Sequence, residues 1–124
     1  MSQQDKNQTN ANEIPGIREI GAVPSVEEIR EALKAVKDPE LMLDIVNLGL
    51  VYEIKPDPRE KTITIDMTLT SPGCPAGPQI LSQAHQVLRQ RFPEVEDVII
   101  NLVWVPFWHP DMMSDEAKDQ LGFF

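Results

Sequence analysis

Between Thr62 and Leu69 the chain alternates polar and apolar residues without a break. Ile63, Ile65, Met67 and Leu69 point one way, and Thr62, Thr64, Asp66 and Thr68 the other. A period of two belongs to an extended strand, and this contrast between faces belongs to a sheet covered on one side and wetted on the other. Such a strand needs neighbours. Leu50 to Lys55 reads as one, joined through the polar hairpin loop from Pro56 to Lys61. Val95 to Val105 reads as another; its nearly continuous apolar run predicts a central strand buried on both faces.

Helices fill the intervals. Ser25 with Glu28 three residues on is a capping box, and Val26, Ile29, Leu33 and Val36 then step along one face. Asp38-Pro39 ends that helix, with Lys34 and Lys37 in its last turn, because the residue before proline avoids the α region. Asp38-Pro39-Glu40 itself begins a short turn. Leu41 to Val46 follows, apolar apart from Asp44, and Asn47-Leu48-Gly49-Leu50 turns into the first strand. A second helix runs to about Arg91 on Ile80, Leu81, Ala84, Val87 and Leu88, and stops at Phe92-Pro93. Ser114 caps a short last helix that Gly122 closes.

The order helix, strand, strand, helix, strand, short helix predicts an α/β (α+β) fold. It would be a compact two-layer domain with a small mixed three-stranded sheet carrying helices on one face. At 124 residues and 14.0 kDa there is room for one such core. Residues 1–13 are almost wholly polar and too poor in apolar surface to offset their ordering entropy. Ile14, Ile17 and Ile20 then sit among Pro15, Gly16 and Gly21 as an extended lead-in. The expected division is a disordered or loosely docked tail over 1–22 and a single domain over 23–124.

Charge and composition remove several classes of function. Eleven basic against 20 acidic residues give a net charge of −9, the wrong sign for a nucleic-acid surface. No apolar run approaches the roughly 20 residues of a bilayer crossing, and the N-terminus has no signal-peptide core. A soluble cytoplasmic chain is expected, with no nucleic acid and no membrane among its partners. One cysteine excludes an intramolecular disulfide and a four-cysteine zinc site. No glycine-rich phosphate loop follows a strand.

That cysteine carries the chemical interest. Cys74 lies in Thr70-Ser71-Pro72-Gly73-Cys74-Pro75-Ala76-Gly77-Pro78, between a strand end and a helix start. Pro75 or Pro78 could each take the first helical position. Unpaired N–H groups and the positive dipole end at a helix start favour an anion, and hence the nucleophilic, metal-binding thiolate. A buried structural cysteine is the plain alternative.

Other polar residues divide between a site and ordinary structure. Asp38, Glu40 and Asp44 form an acidic group beside apolar sequence; they line a pocket with Cys74, or else cap turns and meet solvent. Asp44, the single charge in its run, must be exposed, paired or raised in pKa. Thr70 and Ser71 end the strand next to Cys74, as hydrogen-bond donors to a ligand or as turn residues. His85 reads as a surface residue of the second helix, and no spacing requires His109 to reach the thiol. Neither a nucleophile elbow nor another local hydrolase signature is present, so an enzyme is not expected. Trp104, Phe107 and Trp108 gather aromatic surface that serves the core or a protein interface.

Taken in order, Asp38-Pro39-Glu40, Asp44 to Val51, Leu69 to Pro75 and Trp104 to Trp108 resemble the SufT-type metal–sulfur cluster assembly factors. That family also includes PaaD-type proteins and the eukaryotic targeting factor for cytosolic iron–sulfur assembly. The resemblance spans roughly residues 24–122. It implies an accessory role in iron–sulfur protein maturation without enzymatic turnover. It also implies a surface pocket of Asp38, Glu40, Asp44, Thr70, Ser71 and Cys74, with Cys74 the cluster or metal ligand. With one cysteine in the sequence, the PaaD subtype, whose members carry a cysteine-rich C-terminal segment, is not expected.

One thiolate cannot fill the roughly four ligand positions of a cluster. The expectation is therefore no permanently bound cofactor and a transient iron–sulfur cluster. The other ligands would come from a homodimer partner, a client or a small thiol. The expected partners are a Suf-type assembly machinery and client apoproteins. Two further readings stand beside this one. The first is a metal-free adaptor recruiting clients through its aromatic loop; the second is a small thiol-dependent enzyme.

Overall fold

The computed structural model describes residues 23–122; the expected tail over 1–22 lies outside them. Ser25 opens helix α1 (Val26–Leu33) through the capping box, its Oγ accepting from Glu28 N while the Glu28 carboxylate accepts from Ser25 N. The sheet consists of β1 (Val51–Asp57), β2 (Thr62–Met67) and β3 (Asp97–Leu102). Helix α2 (Gly77–Arg91) connects β2 to β3. Helix α3 (Asp115–Leu121) follows a 3-10 turn at Pro110–Met112. Ser114 caps α3, and Gly122 ends it at φ +82°.

The strands lie in the order β1-β2-β3, β1 antiparallel to β2 and β2 parallel to β3. This is the mixed three-stranded sheet that the alternation and the long connection through α2 predict. A tight hairpin can join antiparallel strands, whereas parallel neighbours require a crossover of this length. Ile63, Ile65 and Met67 of β2 are fully buried, together with Ile29, Ala32 and Leu33 of α1 and Ile80, Ala84 and Leu88 of α2. One cluster of side chains is thus shared between the helices and one face of the sheet.

Three expectations need correction. The central strand is β2, not the third strand. β3 is an edge, and Ile99 and Leu102 are each about two-fifths exposed (40% and 39%). A short apolar run marks apolar side chains, not their position within a sheet; Ile99 pairs with Thr64 on the uncovered face. Helix α1 stops at Leu33. Bonds from Lys34, Ala35 and Val36 N to the carbonyls three residues back tighten the exit, and Lys37 forms an isolated bridge with Asp44. Thr68, expected on the wetted face, is fully buried beyond the end of β2, its N–H donating to Leu50 O.

The turn between α1 and β1 receives the segment that follows β3. Its Gly49 has φ +79°, and a Cβ there would overlap the Met112 carbonyl, 2.7 Å from the carbonyl carbon. Trp108 Nε1 donates to Leu48 O at 2.7 Å, and Ser114 N donates to Asn47 O at 2.8 Å. The segment after β3 is therefore strapped onto the 45–49 turn. Gly49→Ala adds both backbone strain and a clash. It should cost about 1–3 kcal/mol in urea unfolding and raise hydrogen exchange in the 104–114 strap before the sheet.

Candidate functional site

Cys74 is held by turns, not by the helix. Its N–H donates to Ser71 O at 3.1 Å, and its own carbonyl accepts from Gly77 N at 3.1 Å. Ala76 is the N-cap of α2 and Gly77 the first helical residue, so Pro78 takes the second position and Pro75 stays outside. The thiol is two residues ahead of the cap. It is partly exposed, with its inner side against the core. Gly77 keeps this start close to the sheet, since a Cβ there would lie 2.7 Å from Leu69 Cδ1 at the exit of β2. Beside the thiol, Ser71, Pro72 and Gly73 are exposed, Thr70 is half-buried, and a Cβ on Gly73 would meet nothing within 4 Å.

The acids act first on their own backbone. Asp38 is buried, and its Oδ1 accepts from Glu40 N at 2.8 Å and Leu41 N at 3.1 Å. Its main chain closes the same loop, with Asp38 N donating to Leu43 O and Met42 N to Asp38 O. Met42, forced to φ +60°, is left 68% exposed. Asp44 repeats the device: Oδ2 accepts from Val46 N at 3.1 Å and Asn47 N at 3.0 Å, and Oδ1 from Asn47 Nδ2 at 2.7 Å. Glu40 is exposed. Asp44 also lines a cavity of about 260 Å3 with Lys37, Asn47, Glu116 and Gln120, where α3 faces the turn.

The aromatic stretch divides. Trp104 and Trp108 are half-buried and pack against the core, while Phe107 is 68% exposed. The imidazole of His109 serves the chain locally, accepting from Asp111 N at 3.1 Å. His85 is exposed on α2. Among the described residues, no three His, Cys, Asp or Glu side chains converge as a metal site, and no helix is long and apolar enough to cross a membrane.

The uncovered face of the sheet holds a second concavity, which the sequence reading missed. A cavity of about 550 Å3 lies between Val51, Tyr52, Glu53 and Asp66 on one side and Val103, Val105, Pro106 and Met112 on the other. Tyr52 Oη donates to Pro106 O at 2.8 Å. Burial pushes the Tyr52 phenol above its usual range, against the opposing effect of a hydrogen bond with the Thr68 hydroxyl. A hydrogen bond from Asn101 holds the Asp66 carboxyl below the usual carboxylate range; burial opposes this, and Lys55 at 3.1 Å adds to it. The signal lay in the alternation itself, which put Asp66 on the open face opposite Glu53.

A family model for iron–sulfur cluster assembly proteins matches residues 26–102, from the start of α1 to the end of β3. The chain belongs to this family. Asp38, Glu40, Asp44, Thr70, Ser71 and Cys74 fall inside the matched span of the iron–sulfur cluster assembly protein model, and Trp104, Phe107 and Trp108 lie past its end. The chain is 56% identical over 87 residues to the Fe-S protein maturation auxiliary factor SufT of Staphylococcus aureus, covering 70% of this chain and 97% of that protein. It is 50% identical over 97 residues to the Fe-S protein maturation auxiliary factor YitW of Bacillus subtilis, covering 77% and 92% respectively. A crystal structure of a domain of unknown function from Bacillus anthracis superposes with a TM-score of 0.74 at 45% identity, over 79% of this chain and 92% of that one.

The two aspartates are open to a direct test of their structural share. Asp44→Ala leaves three donors without their acceptor and should cost about 1–3 kcal/mol in urea unfolding, whereas Asp44→Asn, which keeps one oxygen, should cost clearly less. Wild-type stability in Asp44→Ala would free this carboxylate from any structural duty.

Proposed function

We propose that this chain is an accessory factor in iron–sulfur protein maturation that passes cluster cargo to client apoproteins through Cys74. Membership of the iron–sulfur cluster assembly protein family and the likeness to two maturation auxiliary factors support the process. The observation that carries the assignment to Cys74 is its placement. The chain's single thiol stands partly exposed in a turn fixed at both ends, inside the family span. A thiolate is the soft ligand that iron–sulfur centres take.

The chemistry is ligand exchange at cargo, not turnover of a substrate. One sulfur supplies one of roughly four cluster positions. The remaining ligands come from a client, a second copy of this chain or a small thiol. An incomplete ligand set suits transfer, because a client offering more cysteines outcompetes it. Asp38 and Asp44 hold their own turns, and Thr70 and Ser71 are near neighbours of the thiol in sequence. On this reading the chain is not an enzyme, keeps no resident cofactor, and works in the cytoplasm with a Suf-type machinery.

The adaptor reading rests on Phe107, whose exposed ring has the character of an interface anchor. One experiment separates the two. Anaerobic reconstitution of an apo-[4Fe–4S] client is followed by its activity, with wild type, Cys74→Ala and Phe107→Ser in parallel. The transfer reading expects Cys74→Ala to lose about tenfold or more in activation rate while Phe107→Ser stays within about twofold. The reverse pattern assigns the chain to recruitment without metal contact.

A further inference from the structure

The helices leave one face of the sheet uncovered, and that face is not uniform. Toward β1 and β2 it carries Glu53, Asp57 and Asp66, with Asp97 beginning β3 and Lys55 the one cation among them. Lys55 is already engaged with Asp66. The side chain of Glu53 is exposed and has no hydrogen-bond or ion-pair partner among the described residues. Beside these carboxylates the surface turns apolar. Among the described residues, four of the five large hydrophobic residues that stand exposed, Ile99, Leu102, Val105 and Phe107, belong to β3 or to the segment just after it. Val105 is 86% exposed, and nothing in the fold accounts for its being there.

The cavity of about 550 Å3 lies on the seam between the two characters. Glu53 and Asp66 stand with Val51 on the wall of β1 and β2, and Val103, Val105, Pro106 and Met112 form the other. Its shape is fixed in advance. The Tyr52 hydroxyl ties the strap to β1 through Pro106 O and lies 3.5 Å from the Met112 sulfur, and Trp108 anchors the strap below at Leu48 O. A binder meeting this groove therefore need not order it, which removes part of the usual cost of association.

We infer that this groove docks an extended segment of a partner protein that places an aliphatic or aromatic side chain against Val103, Val105 and Met112 and a lysine or arginine onto Glu53 and Asp66. Charge selects the partner. A chain of net charge −9 with an unpaired carboxylate at the groove repels acidic segments and steers basic ones. The apolar wall supplies the hold, since a few anchors seated in a desolvated pocket carry most of the affinity of an interface. The surface is independent of the thiol: none of the residues lining it belongs to the Cys74 turn.

The test is 15N NMR on the full chain, titrated with a set of synthetic nine-residue peptides. Each carries one leucine or phenylalanine and two arginines at varied spacing, and a matched set carries glutamate in place of arginine. The basic set should shift the amides of Tyr52, Glu53, Asp66, Val103 and Val105, more weakly at higher salt, and the acidic set should not. Glu53→Lys and Val105→Asp both alter exposed side chains and should fold normally, and each should weaken binding about tenfold. Cys74→Ala should bind as wild type, so a failure of the thiol reading leaves this one intact. Binding by neither set, equal binding by both, or shifts confined to another surface would overturn the inference. So would concentration-dependent shifts of these same amides in the protein alone, which would give the groove to a second copy of the chain.

Discussion

The carboxylate of Asp44 holds the turn on which both the core and the C-terminal strap depend. Two backbone N–H groups and the Asn47 side chain converge on it, closing the turn that delivers Ile45, Leu48 and Leu50 to the core, all three fully buried. The outer side of the same turn receives the C-terminal strap: Leu48 O takes the Trp108 indole, Asn47 O takes Ser114 N, and Gly49 admits Met112. A charge set in an apolar run is costly unless its lone pairs are used, and here three donors use them. Asp38, one turn earlier, does the same for the loop that leaves α1.

This arrangement gives the aspartates of the expected pocket a local duty in this chain. The residues that resemblance assigns to a common site are, for the two aspartates, first of all the supports of backbone loops. Cys74 is held in the same manner in its own turn, by Ser71 O, Gly77 N and the tight packing of Gly77 on Leu69. A metal–sulfur centre exchanged at such a thiol would meet a surface whose turns are already fixed. That rigidity favours a ligand meant to present itself and let go. It gives no advantage to a chain that would have to close around its cargo.

Local chemistry was the legible part of the sequence. Ser25 with Glu28, the alternation through Ile63, Ile65 and Met67, Ser114 and Gly122 each act through neighbours a few residues away, and each appears as read. Position within the assembly was not legible. The apolar run of β3 looked central because a buried strand and a sticky edge have similar composition, and only pairing tells them apart. Asp44 could be recognised as a charge in need of partners, but its donors depend on how the chain bends after Lys37. The division of the aromatic stretch into anchored Trp108 and exposed Phe107 rests on a hydrogen bond 60 residues away in sequence. Of the groove at Tyr52 the alternation marked only Asp66 on the open face, because its other wall is a strap from much later in the chain.

A frame this settled leaves Cys74 as the group on which the functional account stands. The most direct measurement is made in cells, by replacing the native gene with Cys74→Ala and assaying aconitase-type enzymes under iron limitation, beside a deletion strain and a strain carrying the wild-type gene. If the thiol is the working ligand, the substituted strain falls to the level of the deletion while the protein accumulates normally. Activities equal to wild type in that strain, with the deletion clearly impaired, would contradict the account.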